Sequence, residues 1–271
     1  MTSIGTILFF LLSVSVLFAY RLTRAGYKSV LFFNNDFDTD KNYDLAEKIR
    51  VFQVSLGFCF FIYHSIIFFG IFNTILFFVS GTTISLLLEI IGTNMGLIFG
   101  KYSYNPRLCP GPMIGNVPIL IAISWTGLIY MALICTMLIF DGQVVTNITI
   151  THILLTSIFI TILDLVLDPI AVDEGRWSWD KPGKYYGVPV KNFLGWFFNT
   201  SVILLVFSLI ASNYTIINTY PNYIIFSPGL LFIILPTIAA RPCLERKLNI
   251  AAYIGFLFTS ILIIMSYPKF F

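Results

Sequence analysis

The chain has 271 residues, of which 58% are hydrophobic and 11% are charged, and its formal net charge is +3. Soluble globular proteins contain about 25% charged residues, far more than this chain. The apolar composition and the small net charge also exclude a disordered chain, a disulfide-rich scaffold and a basic nucleic-acid-binding protein. The composition predicts an integral membrane protein of the all-α class.

Long apolar segments follow one another along the whole chain. A spanning helix requires about 20 mostly apolar residues, and these segments predict about eight spans. The spans cover approximately residues 3–20, 48–70, 71–92, 117–140, 149–168, 189–212, 223–240 and 249–266. The second and third spans are nearly continuous, and we divide them at residues 70–73 because of their combined length. Together the spans predict a single polytopic helix bundle.

The distribution of basic residues predicts the orientation of this bundle. If both termini lie outside the cell, the cytoplasmic segments are 21–50, 93–116, 169–191 and 241–248. Of the 16 Lys and Arg residues, only Lys269 then lies on the opposite side. Such an excess of positive charge on the cytoplasmic side is typical of multi-pass membrane proteins. We therefore expect a cell-membrane protein with both termini outside.

The first cytoplasmic connection, residues 21–47, contains a pattern that resembles a calcium site. Six side chains have the ligand spacing of an EF-hand loop. They are Asp36, Asp38, Asp40, Asn42, Asp44 and Glu47. Lys41, however, occupies the position where such a loop requires glycine. A solvated acidic connector is the preferred interpretation, and binding of calcium or of a partner is the alternative.

The sequence contains an internal duplication. The segment 100–104, GKYSY, is repeated as GRWSW at residues 175–179. In each copy a carboxylate precedes the glycine at the same spacing, and a Val-Pro pair follows, with a tryptophan at the same spacing beyond it. The duplication predicts two units that run in the same direction, approximately residues 71–140 and 149–212. Both of their loops then face the cytoplasm.

Three carboxylates, Glu89, Asp164 and Asp168, lie within or at the ends of apolar spans. An ionised carboxylate costs about 2.5–3.5 kcal/mol at the centre of a bilayer and usually marks a functional site. Asp164 and Asp168 are four residues apart and therefore share one helix face. Burial and a helix C-terminus both favour the uncharged acid, which suits a group that delivers a proton. A purely structural polar cluster is the alternative.

Several kinds of catalytic centre are excluded by the residues that the chain contains. It has only two histidines, His64 and His152, so the multi-histidine clusters of di-iron membrane enzymes cannot be built. It also contains no glycine-rich phosphate loop and no Cys-x-x-Cys motif. We expect neither a metal nor any other cofactor.

Several segments resemble the carotenoid 1,2-hydratases of the CruF type, which are γ-carotene or bisanhydrobacterioruberin hydratases. The resemblance is carried by LDPIAV at residues 167–172, by GRWSW at 175–179 and by YYGVPVKNFLGW at 185–196. The earlier stretch 89–125 is also similar to that family. In total the resemblance covers roughly residues 85–200.

The resemblance implies that the protein adds water to the terminal double bond of an acyclic carotenoid end. Protonation by a carboxylic acid gives a tertiary carbocation, which water captures to form a tertiary alcohol. Asp164 or Asp168 is the expected acid and Glu89 its partner, although the sequence leaves the division of roles open. Aromatic faces can stabilise such a cation. The candidates are Tyr102, Tyr104, Trp177, Trp179 and Trp196.

Two further polar residues are candidates for the same site. Asn192 is expected to position water, and Arg176 either to keep one carboxylate ionised or to extend to the lipid headgroups. The expected partners are a carotenoid that enters from the bilayer, water and the lipid membrane. Two other functions stay open. One is a carotenoid or isoprenoid cyclase that uses the same protonation, and the other is a non-catalytic lipid-binding or transport protein.

Overall fold

The computed structural model describes residues 3–16, 43–109, 111–213 and 220–270 and confirms the expected all-α membrane bundle. The helices, in chain order, are α1 (Ser3–Val14), α2 (Tyr43–Met95), α3 (Ile119–Phe140), α4 (Ile150–Asp173), α5 (Val190–Ile210), α6 (Asn222–Ile225), α7 (Ser227–Glu245) and α8 (Asn249–Phe270). The short strands are β1 (Tyr102–Tyr104), β2 (Met113–Ile114), β3 (Val117–Pro118) and β4 (Trp177–Trp179).

Helix α2 contains two of the predicted spans. Its backbone is not helical at Gly70, where φ is 78° and ψ is 166°, a conformation that glycine adopts without steric cost. The chain reverses there, and contacts across the turn show it. The rings of Phe58 and Phe78 lie 5.2 Å apart, and Thr74 Oγ1 donates to Ser65 Oγ at 2.9 Å. The two arms, residues 43–69 and 71–95, therefore pack side by side, and the predicted division at residues 70–73 is confirmed.

The described residues include six helices that are long and apolar enough to cross a membrane, and α2 is the longest of them. The first predicted span is described only as α1, which has 12 residues. Residues 17–20 of that span and the acidic segment 36–44 lie outside the described side chains. Large apolar side chains point outward along the bundle, as in the α2 series Ile71, Phe72, Ile75 and Val79, which is the surface that lipid tails require.

The part of the core that lies far from the loop strands is aromatic and encloses one histidine. Tyr130 of α3 is fully buried, and its ring lies 5.4–6.1 Å from those of neighbouring phenylalanines. His64 Nε2 lies 2.9 Å from the carbonyl oxygen of Ile225 and therefore donates to it, since a carbonyl only accepts. His64 Nδ1 accepts from the Tyr130 hydroxyl at 2.7 Å. This histidine is satisfied within the core.

Four helix ends meet at the end of the bundle where β1 and β4 lie. The second arm of α2 and helix α4 end there, whereas α3 and α5 begin there. Pro118 and Pro189 hold extended backbone immediately before α3 and α5, so the predicted Val-Pro helix starts are confirmed. A proline at this point costs little because the first N–H groups of a helix have no intrahelical partner. The two predicted loops are thereby brought to one face of the bundle.

Candidate active site

The two copies of the duplicated loop pair with each other. Strands β1 and β4 form a two-stranded antiparallel sheet. The register places Tyr102 opposite Trp179, Ser103 opposite Ser178 and Tyr104 opposite Trp177. The glycine that opens each motif has a positive φ, 85° at Gly100 and 70° at Gly175, so each chain turns sharply from its helix into its strand. The motifs therefore form one layer over the ends of α2 and α4.

Glu89 receives hydrogen bonds from β1. Its side chain is buried near the end of α2, and its Oε2 accepts from the hydroxyl of Tyr104 at 2.7 Å and from that of Tyr102. Burial, together with the nearby charge of Glu89, raises the pKa of the Tyr104 phenol well above its usual range. The phenol therefore stays protonated and remains a donor. Two phenol donors on one oxygen stabilise a carboxylate anion.

Asp164 and Asp168 are joined by an amide from α5. Asn192 Nδ2 donates to Asp164 Oδ2 at 2.9 Å and to Asp168 Oδ2 at 2.5 Å, and all three side chains are buried. Asp164 Oδ1 is the exception, because it has no hydrogen-bond partner within the described part of the chain. Two neighbouring buried carboxylates repel each other, so ionisation of both is disfavoured in the resting protein. The pair is therefore arranged to hold at least one proton.

Aromatic rings connect the two groups of acids. The rings of Tyr104 and Trp177 meet edge to face with centroids 5.7 Å apart, and Trp177 also lies close to Asp168. Glu89 and the aspartates are also close enough to repel one another electrostatically. We call Glu89, Asp164 and Asp168 the carboxylate cluster. Within residues 3–16, 43–109, 111–213 and 220–270, no Lys, Arg or His side chain pairs with any of them.

The remaining aromatic candidates, Trp179 and Trp196, lie against other aromatic rings near this cluster. Trp196 of α5 is stacked on Trp125 of α3, with ring centroids 3.4 Å apart. Trp179 lies 5.5 Å from the Tyr102 ring, and its Nε1 donates to the carbonyl oxygen of Phe99 at 3.0 Å. Sequence reasoning did not include Trp125 among the site residues, although its spacing in the duplication matches that of Trp196. The duplication alone was a sufficient signal to find it.

Arg176 lies in a second group of charges, contrary to both roles expected for it. Its Nη2 donates to Glu47 Oε1 at 2.8 Å and its Nε to Glu174 Oε2 at 2.5 Å. Arg246 also binds Glu174, at 2.9 Å. These partners are not the three site carboxylates, so Arg176 does not match an arginine that keeps one of them ionised. Because Arg176 is buried, it also does not match an arginine that extends to lipid headgroups. We call these four residues the arginine cluster.

No described residues form a group of three or more His, Cys, Asp and Glu side chains suited to a metal ion. The segment 36–47, with the spacing of a calcium-binding loop, lies mostly outside the described residues. Glu47, its last member, pairs with an arginine instead.

The chain was compared with known proteins. The family model described as "Carotenoid biosynthesis protein" matches residues 50–262. A bisanhydrobacterioruberin hydratase of Haloarcula japonica is 31% identical over 121 residues, which are 44% of this chain and 40% of that protein. The match thus spans less than half the length of this relative. No solved structure matches the chain.

Proposed function

This chain belongs to the family of carotenoid biosynthesis proteins, and from this premise we propose that it hydrates the terminal double bond of an acyclic carotenoid end. The relative from Haloarcula japonica is named as a hydratase. The observation that supports hydration best is the pair Asp164 and Asp168, buried and bridged by Asn192, with one Asp164 oxygen left without a partner among the described residues. The product is a tertiary alcohol.

Asp164 is the proposed acid. Its Oδ2 accepts the amide of Asn192, which leaves Oδ1 as the atom that carries the proton toward the substrate. Asp168 lies beside it on the same helix face and accepts the shorter hydrogen bond from Asn192, 2.5 Å against 2.9 Å at Asp164. Hydrogen bonds to ionised acceptors are the shorter ones, so we place the negative charge on Asp168 and the proton on Asp164. General acid catalysis of this kind accelerates a reaction by about 10²–10⁴-fold.

The proton adds to the less substituted carbon of the double bond, and the π electron pair forms the new C–H bond. The positive charge then lies on the tertiary carbon. Aromatic faces stabilise such a cation by about 0.5–2 kcal/mol each. The rings available beside the carboxylate cluster are those of Tyr102, Tyr104, Trp177, Trp179 and Trp196.

Glu89 is the proposed base. Its carboxylate is stabilised by the Tyr102 and Tyr104 hydroxyls and receives the proton that water loses when its oxygen bonds to the cation. One proton therefore leaves Asp164, one reaches Glu89, and an alkene and a water molecule become an alcohol. This chemistry requires neither a metal nor a redox cofactor.

The substrate is proposed to enter from the bilayer. Helices α2, α4 and α5 carry apolar side chains on their lipid-facing sides, and the carboxylate cluster lies at the ends of α2 and α4. The excess of Lys and Arg on one side of the bundle supports an orientation in which this end faces the cytoplasm. Both termini then lie outside.

The proposal is tested by expressing the full chain in bacteria that accumulate lycopene or bisanhydrobacterioruberin and by determining the masses of the pigments. Hydration adds the mass of one water for each end that reacts. A product of unchanged mass and altered absorption indicates a cyclase. If several acyclic carotenoids are all recovered unchanged, the protein does not act on them and a lipid-binding or transport role is favoured.

A further inference from the structure

Helix α5 carries a second polar group, deeper in the bundle than the carboxylate cluster. One face of α5 carries Asn192, Trp196 and the neighbouring pair Asn199 and Thr200, because residues four and seven apart share a helix face. The pair Asn199 and Thr200 lies about 10 Å along the helix axis from Asn192 and about 5 Å beyond Trp196. Along the axis of α5, Trp196 therefore lies between Asn192, which binds the aspartates, and this pair.

Both residues are completely buried, and each has an unsatisfied polar atom. Asn199 Nδ2 donates to Ser85 Oγ at 3.3 Å, whereas Asn199 Oδ1 and Thr200 Oγ1 have no partner anywhere in the part of the chain that is described. Other buried threonines differ. Thr126 and Thr136 each donate to the carbonyl oxygen four residues earlier. The Thr200 hydroxyl is thus not satisfied by its own helix.

Buried polar atoms in proteins almost always have a partner, and those that lack one in the chain usually bind an ordered water. The ligand must donate to Asn199 Oδ1, which can only accept, and it must accept from or donate to the Thr200 hydroxyl. Water satisfies both requirements. We propose that Asn199 and Thr200 bind the water molecule that captures the carbocation, an inference that rests on the proposed hydration.

The position of this water site fits the order of the reaction. A double bond that lies against Trp196 has the Asp164 acid on one side and the water site on the other. The proton of Asp164 and the π electron pair form the C–H bond, and a lone pair of the water oxygen then forms the C–O bond from the opposite side. Ser85 lies one turn before Glu89 on α2 and is hydrogen-bonded to Asn199. The proposed water site therefore lies about one helical turn from Glu89, the proposed acceptor of the proton that water loses.

This arrangement predicts a specific failure when the water site is removed. Asn199→Leu and Thr200→Val keep the acid but lose the groups that hold water. Protonation then still occurs, but the cation loses a proton again instead of forming an alcohol. In D2O this reversal incorporates deuterium into carotenoid that has not been hydrated. Thr136→Val is the matched control, because that buried hydroxyl bonds to Ala132 and Thr156, away from the proposed site.

The measurement uses membranes that contain the full chain and an acyclic carotenoid, incubated in D2O and analysed by mass spectrometry. We expect the ratio of deuterated unhydrated carotenoid to alcohol to rise at least tenfold in both variants and to stay unchanged in Thr136→Val. If both products fall in parallel, or if the alcohol forms at the wild-type rate, the water site is wrong. Should Asn199→Leu not accumulate in the membrane, the nearly isosteric Thr200→Val decides alone. Absence of alcohol from the wild-type protein contradicts the proposed hydration itself, which is a distinct result.

Discussion

The carboxylate cluster and the arginine cluster both include residues near the end of α4, but their charges are balanced in different ways. Asp168 and Glu174 are separated by fewer than two helical turns. Glu174 is bound by two buried arginines, whereas the neutral amide of Asn192 is the only side-chain donor to Asp164 and Asp168 among the described residues. Removing one partner of a buried ion pair is strongly destabilising, while neighbouring buried acids without a cation tend to retain a proton. We therefore propose a structural role for the arginine cluster and proton donation for the aspartates.

The largest effect is expected from removal of the acid. Asp164→Asn keeps the size and the hydrogen bond to Asn192 but cannot donate a proton. The rate of alcohol formation should fall by about 10²–10⁴-fold, while the thermal midpoint in detergent changes little. A variant that retains more than a tenth of the wild-type rate contradicts the assignment of Asp164. Asp164→Glu is the informative companion, because it restores the acid at a shifted position.

The arginine cluster should respond in the opposite manner. Arg176→Gln leaves Glu47 and Glu174 buried with one arginine fewer, and such a loss costs about 3–5 kcal/mol of stability. We expect a much lower thermal midpoint and less protein in the membrane, but a nearly normal rate for each folded molecule. A specific loss of rate at normal stability contradicts the distinction between the two clusters.

A smaller effect is expected at the link between β1 and Glu89. Tyr104→Phe removes one donor to the carboxylate, and a hydrogen bond to a charged group contributes about 1.5–3 kcal/mol. The rate should fall roughly ten- to a hundredfold. Because burial raises the pKa of Tyr104 well above its usual range, the ratio between wild type and variant should stay constant from neutral pH to about pH 10. A ratio that declines within this range contradicts a protonated Tyr104.

The smallest effect serves as a control for both clusters. Lys101 and Asp180 form an ion pair at 3.5 Å, but their side chains are 61% and 56% exposed. Exposed pairs contribute about 0–1 kcal/mol, so Lys101→Gln should leave the thermal midpoint and the rate almost unchanged. A large effect there would show that the loop layer depends on surface charge.

Much of the fold followed from apolar segment length. The division of α2 was predicted because no single helix of that length fits a bilayer, and Gly70 supplies the reversal. The pairing of β1 with β4 was not predicted, since three-residue strands carry too little pattern to distinguish them from interfacial aromatic loops. That pairing brings Glu89 and the aspartates together. The sequence therefore identified the three acids but not the strand pairing that joins the two parts of the site.

Two other features were inaccessible for a similar reason. Arg176 and Glu47 are 129 residues apart, and nothing in either local sequence specifies the other. Asn199 is one polar residue in an apolar span, where an amide that bonds to a neighbouring helix is common. Only the three-dimensional structure shows that one of its polar atoms has no partner among the residues described.

The antiparallel pairing of β1 with β4 also affects how a molecule with two reactive ends is processed. The two halves of the duplication meet in a single sheet, and they contribute unlike acids, Glu89 and the aspartates, to one proposed centre. If this centre hydrates carotenoids as proposed, a carotenoid with two acyclic ends must leave, reverse its orientation and bind again before its second end reacts. A time course should then show the singly converted intermediate rising first and declining as the doubly converted product accumulates.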